Sequence, residues 1–203
     1  FTQGNGIEQD SYDGENIARY GDIVFCSVNH RLGALGFSDL AGAGGEKYRH
    51  SGNAGMLDIV AALKWIQANI ANFGGDPSNV TVMGQSGGGS KVCLLCAMPA
   101  AKGLFHKAVA LSGNTVKANN ADYAERLGNA ILHEAGLDTS QVDSLQSVPW
   151  EQYLELANRA RQRMAAEDPG SRSGFAPVAD GIDIPKGIFF EGENRTTGSD
   201  VPL

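Results

Sequence analysis

Residues 84–88 read Gly84-Gln85-Ser86-Gly87-Gly88, a G-x-S-x-G pentapeptide, and its setting limits what this chain can fold into more than any other stretch. Asn79-Val80-Thr81-Val82-Met83 before it is short, apolar and β-branched, as a strand is; residues 90–98 after it are small and apolar, as a helix start is. A serine between glycines at such a junction predicts a nucleophile elbow, a turn too tight for side chains on the flanking positions. The turn would lift Ser86 Oγ above the sheet. The helix that follows would aim its first N–H groups, Gly87 foremost, at the same spot, where negative charge develops in acyl transfer. Glycine-rich pentapeptides also occur in flexible loops and helix caps; strand before and helix after separate the readings. A phosphate loop fits less well, because Ser90-Lys91 reverses the Lys-Ser/Thr order which that chemistry needs.

The rest of the chain must supply a parallel sheet around that turn. Its 203 residues are enough for one α/β domain with a sizeable core. A formal charge of -7 argues against nucleic acid and anionic membranes as partners, and no stretch reaches membrane-spanning length. The first residues hold neither Met nor a signal core, which predicts a truncated or processed product. Three cysteines do not make a disulfide scaffold, and unpaired thiols lean toward a cytoplasmic location. Cys26 lies in an apolar run and is expected in the core. Cys93 and Cys96 form C-x-x-C among Val92, Leu94 and Leu95 and are expected as buried structural thiols; no second pair completes a metal site.

Taken in order, residues 12–20 predict a short helix and 22–28 a strand buried on both faces. The glycine-rich 40–53 segment reads as a mobile surface loop. In 53–73, Met56, Ile59, Val60, Leu63, Ile66, Ile70 and Phe73 recur at helical spacing, and Gly74-Gly75-Asp76-Pro77 stops the helix. Strand 22–28, this helix and the elbow strand would form a right-handed βαβ unit, with 106–112 as a third core strand. Residues 121–135 and 149–166 predict two polar amphipathic helices, with Pro149 at a first helical position, Arg159, Arg161 and Arg163 on a solvated face, and His133 facing solvent. In the loop-rich tail, 175–181 reads as the most ordered part.

These motifs resemble those of the type-B carboxylesterases, the α/β-hydrolases that include cholinesterases and para-nitrobenzyl esterases. The likeness runs through Val28-Asn29-His30-Arg31-Leu32-Gly33, where that family usually has Asn-Tyr-Arg-Leu-Gly, and through Asn53-Ala54-Gly55-Met56-Leu57-Asp58. It continues through Asn72-Phe73-Gly74-Gly75-Asp76-Pro77, the pentapeptide, Gly103-Leu104-Phe105-His106-Lys107-Ala108 and Ser112-Gly113. It implies an α/β-hydrolase over 1–203, a mostly parallel sheet with helices on both faces, incomplete at both ends, with 119–170 a candidate helical cap. It also implies an Arg31–Asp58 pair. Gln85 and Gly87 stand where the family commonly has Glu and Ala, which points to uncharged esters over quaternary ammonium ones.

The implied activity is carboxylic ester hydrolysis through an acyl-serine on Ser86, with Gly87 donating to the oxyanion and no cofactor or metal. Base, acid and the rest of the oxyanion hole are expected outside the chain: His30 and His50 precede Ser86, His106 opens a strand, and Asp180 follows every histidine, against the order Ser, acid, His. The expected partner is a small ester and, for a fragment with an open sheet edge, the remaining segments of the same enzyme. Two other readings share the fold: a non-catalytic adhesion or binding member, disfavoured by the intact serine, and an amidase or thioesterase.

Overall fold

Residue for residue, the computed structural model describes positions 1, 2, 4, 6, 10–168, 174–196 and 198–203, in two units that are taken separately. One unit holds 3–31, 56–116 and 188–203. At its centre lie strands β1 (Thr81–Gln85) and β2 (Lys107–Leu111), parallel, with Met83 opposite Val109 and Gln85 opposite Leu111. The connection between them is a helix numbered α5 (Gly87–Ala97), whose residues from Val92 to Ala97 are all buried. Its small N-terminal turn and apolar C-terminal half let it lie directly on both strands. Helix α1 (Glu15–Gly21) is short, buries no residue, and ends where Asp22 turns left-handed at φ 50.

Helix α4 (Ala54–Asn69) buries Met56, Val60, Leu63 and Ile66 on one stripe, continued by Ile70 in a 3-10 turn (Ile70–Phe73). Gly74, at φ 82, terminates it, as a glycine just past a helix end does. The Gln67 side-chain amide donates to the carbonyls of Pro77 and Leu104, fixing this helix end against the approach to the two strands.

Residues 22–28 do not form the expected strand. A strand is a paired state, and this run has no ladder partner among the described residues. Ser27 Oγ donates to the Gly6 carbonyl at 2.6 Å instead, and the Gly6 N–H donates to Asn29 Oδ1. Ile23 and Val24 are exposed, and so is Cys26, which is therefore not a core residue. The βαβ unit that forms is β1-α5-β2. Among the described residues the sheet has two strands, and β2 is not the core strand expected over 106–112: α5 covers one face, Ala108 is buried, and Met83, Val109 and Leu111 are exposed.

The second unit holds 1–2, 32–55 and 117–187. Here the glycine-rich segment is not a loose loop. It folds into α2 (Gly33–Phe37), α3 (Ala41–Gly44) and 3-10 turns (Gly45–Tyr48 and Ser51–Asn53), with Leu40, Tyr48 and Asn53 buried. Small residues there serve close packing: a Cβ on Gly128 would come within 1.8 Å of the Asp39 carbonyl oxygen. Helices α6 (Ala121–Glu134) and α7 (Trp150–Glu167) pack together, with Leu127 and Ile131 buried on the first and Leu156, Ala157, Ala160 and Met164 on the second. Asn120 caps α6 by accepting the Tyr123 N–H, and Pro149 sits one position earlier than expected, at the cap of α7. Between the helices, 3-10 geometry (Thr139–Ser147) replaces the expected linker and opens on a capping box from Asp138. Val178, within 175–181, bridges to Asn119. No described helix is long and apolar enough to cross a membrane.

Candidate active site

At the end of β1 the Ser86 N–H still donates to the Leu111 carbonyl at 2.8 Å, so the ladder holds the residue up to its own nitrogen. The chain then reverses at φ 55, ψ -118, and α5 begins at the next residue. Such a conformation costs a non-glycine residue roughly 1–3 kcal/mol and persists only where its surroundings impose it. Two glycines impose it here. A Cβ on Gly84 would lie 2.3 Å from the Gly88 carbonyl carbon, and one on Gly113 would lie 2.0 Å from the Ser86 carbonyl oxygen. Gly88, by contrast, has open space around its missing Cβ. The crowding that demands glycine thus falls on Gly84 and Gly113.

Ser86 is exposed, and its Oγ has no hydrogen-bond partner among the described residues. Gly87 occupies the first turn of α5, where backbone N–H groups lack helical acceptors and point outward with the positive end of the helix dipole. Behind the turn, Ser90 Oγ donates to the Gly113 carbonyl at 3.0 Å and accepts from Thr115 Oγ1 at 2.8 Å. Those bonds tie α5 to the segment after β2.

In the same unit, Arg31 grips Asp58 with Nε at 2.8 Å and Nη2 at 2.7 Å, and its backbone N–H adds a third bond. The pairing implied by the family resemblance is therefore present. The guanidinium hydrogen bonds hold the Asp58 carboxyl below the usual carboxylate range. Beside it, His30 Nδ1 donates to the Arg31 carbonyl; burial, with the Lys91 cation next in weight, lowers the His30 pKa.

The other histidines are occupied differently. His106 Nδ1 accepts the Val80 N–H, and His133 Nδ1 accepts from Arg163 Nη1, so each carries its neutral-state proton on Nε2. His133 is exposed as expected, but the arginines on α7 are not simply solvated: Arg159 and Arg163 both pair with Glu134. An open groove of about 440 Å³ beside them is lined by Arg126, His133, Arg163 and Glu167 and reads as part of this ion-pair network. His50 Nδ1 lies 2.7 Å from Asp183 Oδ2, a pairing across 133 residues of sequence that no local pattern signals. Asp180 is absorbed in backbone structure, its Oδ1 accepting the N–H groups of Ile182, Asp183 and Ile184. Cys93 and Cys96 are buried, and burial pushes the Cys96 thiol up to about 11. Among the described residues no three His, Cys, Asp or Glu side chains converge as a metal site requires.

A parallel βαβ unit with a strained, exposed residue at its strand-to-helix turn is the heart of an α/β-hydrolase. Comparison with known proteins narrows the class. The profile described as the carboxylesterase family matches residues 1–197. The para-nitrobenzyl esterase of Bacillus subtilis (strain 168) is 40% identical over 186 residues, which are 92% of this chain and 37% of the relative. Human carboxylesterase 3 is 40% identical over 149 residues, 71% of this chain and 25% of the relative. Among solved structures, a thermophilic pNB esterase matches with a TM-score of 0.82 at 40% identity, covering 91% of this chain and 37% of that one. The chain belongs to the carboxylesterase family, and it spans between a quarter and little more than a third of the length of these relatives.

Proposed function

We propose that this chain carries the nucleophile of a serine carboxylesterase. The observation that bears most weight is the conformation of Ser86, exposed at φ 55 in a turn that two glycines enforce, within a chain of this family. In the proposed reaction Ser86 Oγ attacks the ester carbonyl and the Gly87 N–H donates to the oxygen that becomes negative. The alkoxide then leaves, and water releases the acid from the acyl-serine. Taking the Oγ proton requires an imidazole oriented by a carboxylate, and no described side chain hydrogen-bonds Ser86 Oγ. The substrate class is a small ester without positive charge, because Gln85 offers no carboxylate to attract a cation. We assign 119–170 the role of a helical cap that sets substrate range, which exchanging it with another family member's segment would test.

The decisive experiment is intact-mass analysis with a fluorophosphonate probe on this chain, on its Ser86→Ala variant, and on a form extended at both ends with the family's remaining segments. Labelling of the extended form at Ser86, absent in Ser86→Ala, is the expected result. An extended form that refuses the probe would sink the reading.

A further inference from the structure

Four histidines give four tautomer assignments, and one imidazole stands apart. His106 and His133 accept at Nδ1, so their Nε2 atoms carry protons in the neutral ring and have no lone pair to offer. His30 has the opposite tautomer, but its partner is a neutral carbonyl and its ring is part-buried. His50 alone donates Nδ1–H to a carboxylate, at 2.7 Å, and the Asp183 side chain that accepts is only 7% exposed while the imidazole is 48% exposed. Among the described residues His50 Nε2 has no partner. Asp183 is itself held in place, its N–H bound to Asp180 Oδ1, while Asp180 Oδ2 accepts from buried Asn53. This is the arrangement in which a buried acid fixes the tautomer of an imidazole and leaves the lone pair of its other nitrogen accessible.

We propose that His50, oriented by Asp183, is a second, serine-independent acyl acceptor that cleaves activated aryl esters. The Nε2 lone pair attacks the ester carbonyl, forming an N–C bond, and the C–O bond to the aryl group breaks with its electron pair leaving on the aryloxide. The ring then carries the acyl group on Nε2 and keeps its proton on Nδ1, and the Asp183 carboxylate offsets the resulting positive charge. Water adds to the acyl carbon and the C–N bond breaks. The carboxylic acid departs, and the spare proton goes to solvent, restoring the imidazole. Imidazole expels only good leaving groups, so the substrates are aryl esters whose phenol ionises well below the ordinary phenol value of about 10, and not alkyl esters.

The test measures p-nitrophenyl acetate cleavage by the 203-residue chain carrying Ser86→Ala, which removes the elbow serine and so separates this inference from the esterase proposal. Adding His50→Gln should lower the remaining release rate roughly ten-fold, and Asp183→Asn should lower it in the same direction, with His133→Gln without effect. Circular dichroism checks that each variant is folded. Should His50→Gln unfold, the order of diethyl pyrocarbonate modification in the unsubstituted chain decides: His50 ahead of His106 and His133 supports the assignment. Equal release rates with and without His50, or modification of His133 first, would overturn it.

Discussion

The glycines at 84 and 88 occupy symmetric places in the pentapeptide and should respond to alanine with opposite sign. In Gly84→Ala the new methyl would stand 2.3 Å from the Gly88 carbonyl carbon and 2.4 Å from its oxygen. Ordinary contact needs about 3.5 Å, so β1 and the first turn of α5 would have to part by about 1 Å. Both sides of the clash are backbone, one in a ladder and one in a helix, so no flexible side chain can absorb the shift. Overpacking of this kind costs about 1–3 kcal/mol, and the upper end applies here. For Gly88→Ala the space is open and the position is helical, which should gain up to about 0.5–1 kcal/mol. With a urea slope of about 2 kcal/mol per molar, Gly84→Ala should lower the unfolding midpoint by about 1–1.5 M and Gly88→Ala should leave it level or raise it. Equilibrium urea unfolding followed by circular dichroism measures both. Equal midpoints for the two variants, or a larger fall for Gly88→Ala, would refute the assignment of the crowding to Gly84.

Four further outcomes follow from the geometry. Ser86→Gly should raise stability by about 1 kcal/mol by relieving the φ 55 strain, whereas Ser86→Ala should not; the two melting curves read this directly. Asp58→Asn should cost about 1–2 kcal/mol at neutral pH. Because the folded pKa of Asp58 is depressed, that contribution is present above the ordinary carboxylate pKa and is lost as pH falls below about 4, so the gap in urea midpoints between parent and variant should close in acid. In the native chain, 5,5′-dithiobis(2-nitrobenzoate) should titrate exposed Cys26 quickly and reach buried Cys93 and Cys96 only on unfolding; three fast thiols would contradict the burial. Asn53→Ala should cost about 2–4 kcal/mol, since fully buried Asn53 satisfies both the N–H and the carbonyl of Val178, and thermal unfolding measures the loss.

What could be read from sequence was the short-range part. Helix α4 announces itself through Met56, Val60, Leu63 and Ile66, and the elbow through a glycine-bounded serine between a strand pattern and a helix pattern. Both signals sit within a few residues of the structure they specify. Residues 22–28 misled for the converse reason: their apolar run fits a strand, yet a strand depends on a partner that local composition cannot supply, and Cys26 is exposed as a result. The 40–53 segment misled because glycine marks both flexibility and close approach, and here Gly42 and Gly44 admit the side chains of Glu125 and Tyr48. Long-range pairs divide in the same way. Arg31–Asp58 was expected from family resemblance alone, and His50–Asp183 had no signal at all.

The elbow therefore separates two requirements usually described together. Its geometry is assembled within residues 84–115: the Leu111 carbonyl takes the Ser86 N–H, Gly84 and Gly113 make room, and Ser90 and Thr115 secure the start of α5. None of these contacts involves a histidine or a carboxylate. Strain of roughly 1–3 kcal/mol at Ser86 can thus be held by backbone fit and two hydroxyl hydrogen bonds, before any proton-transfer group is in place. The proposed chemistry needs one thing more, an imidazole whose basic nitrogen faces the hydroxyl. A serine held in this conformation without that base is positioned but weakly nucleophilic, and any segment that brings an oriented imidazole to Ser86 Oγ should raise its reactivity without altering φ, ψ or the glycine contacts around it.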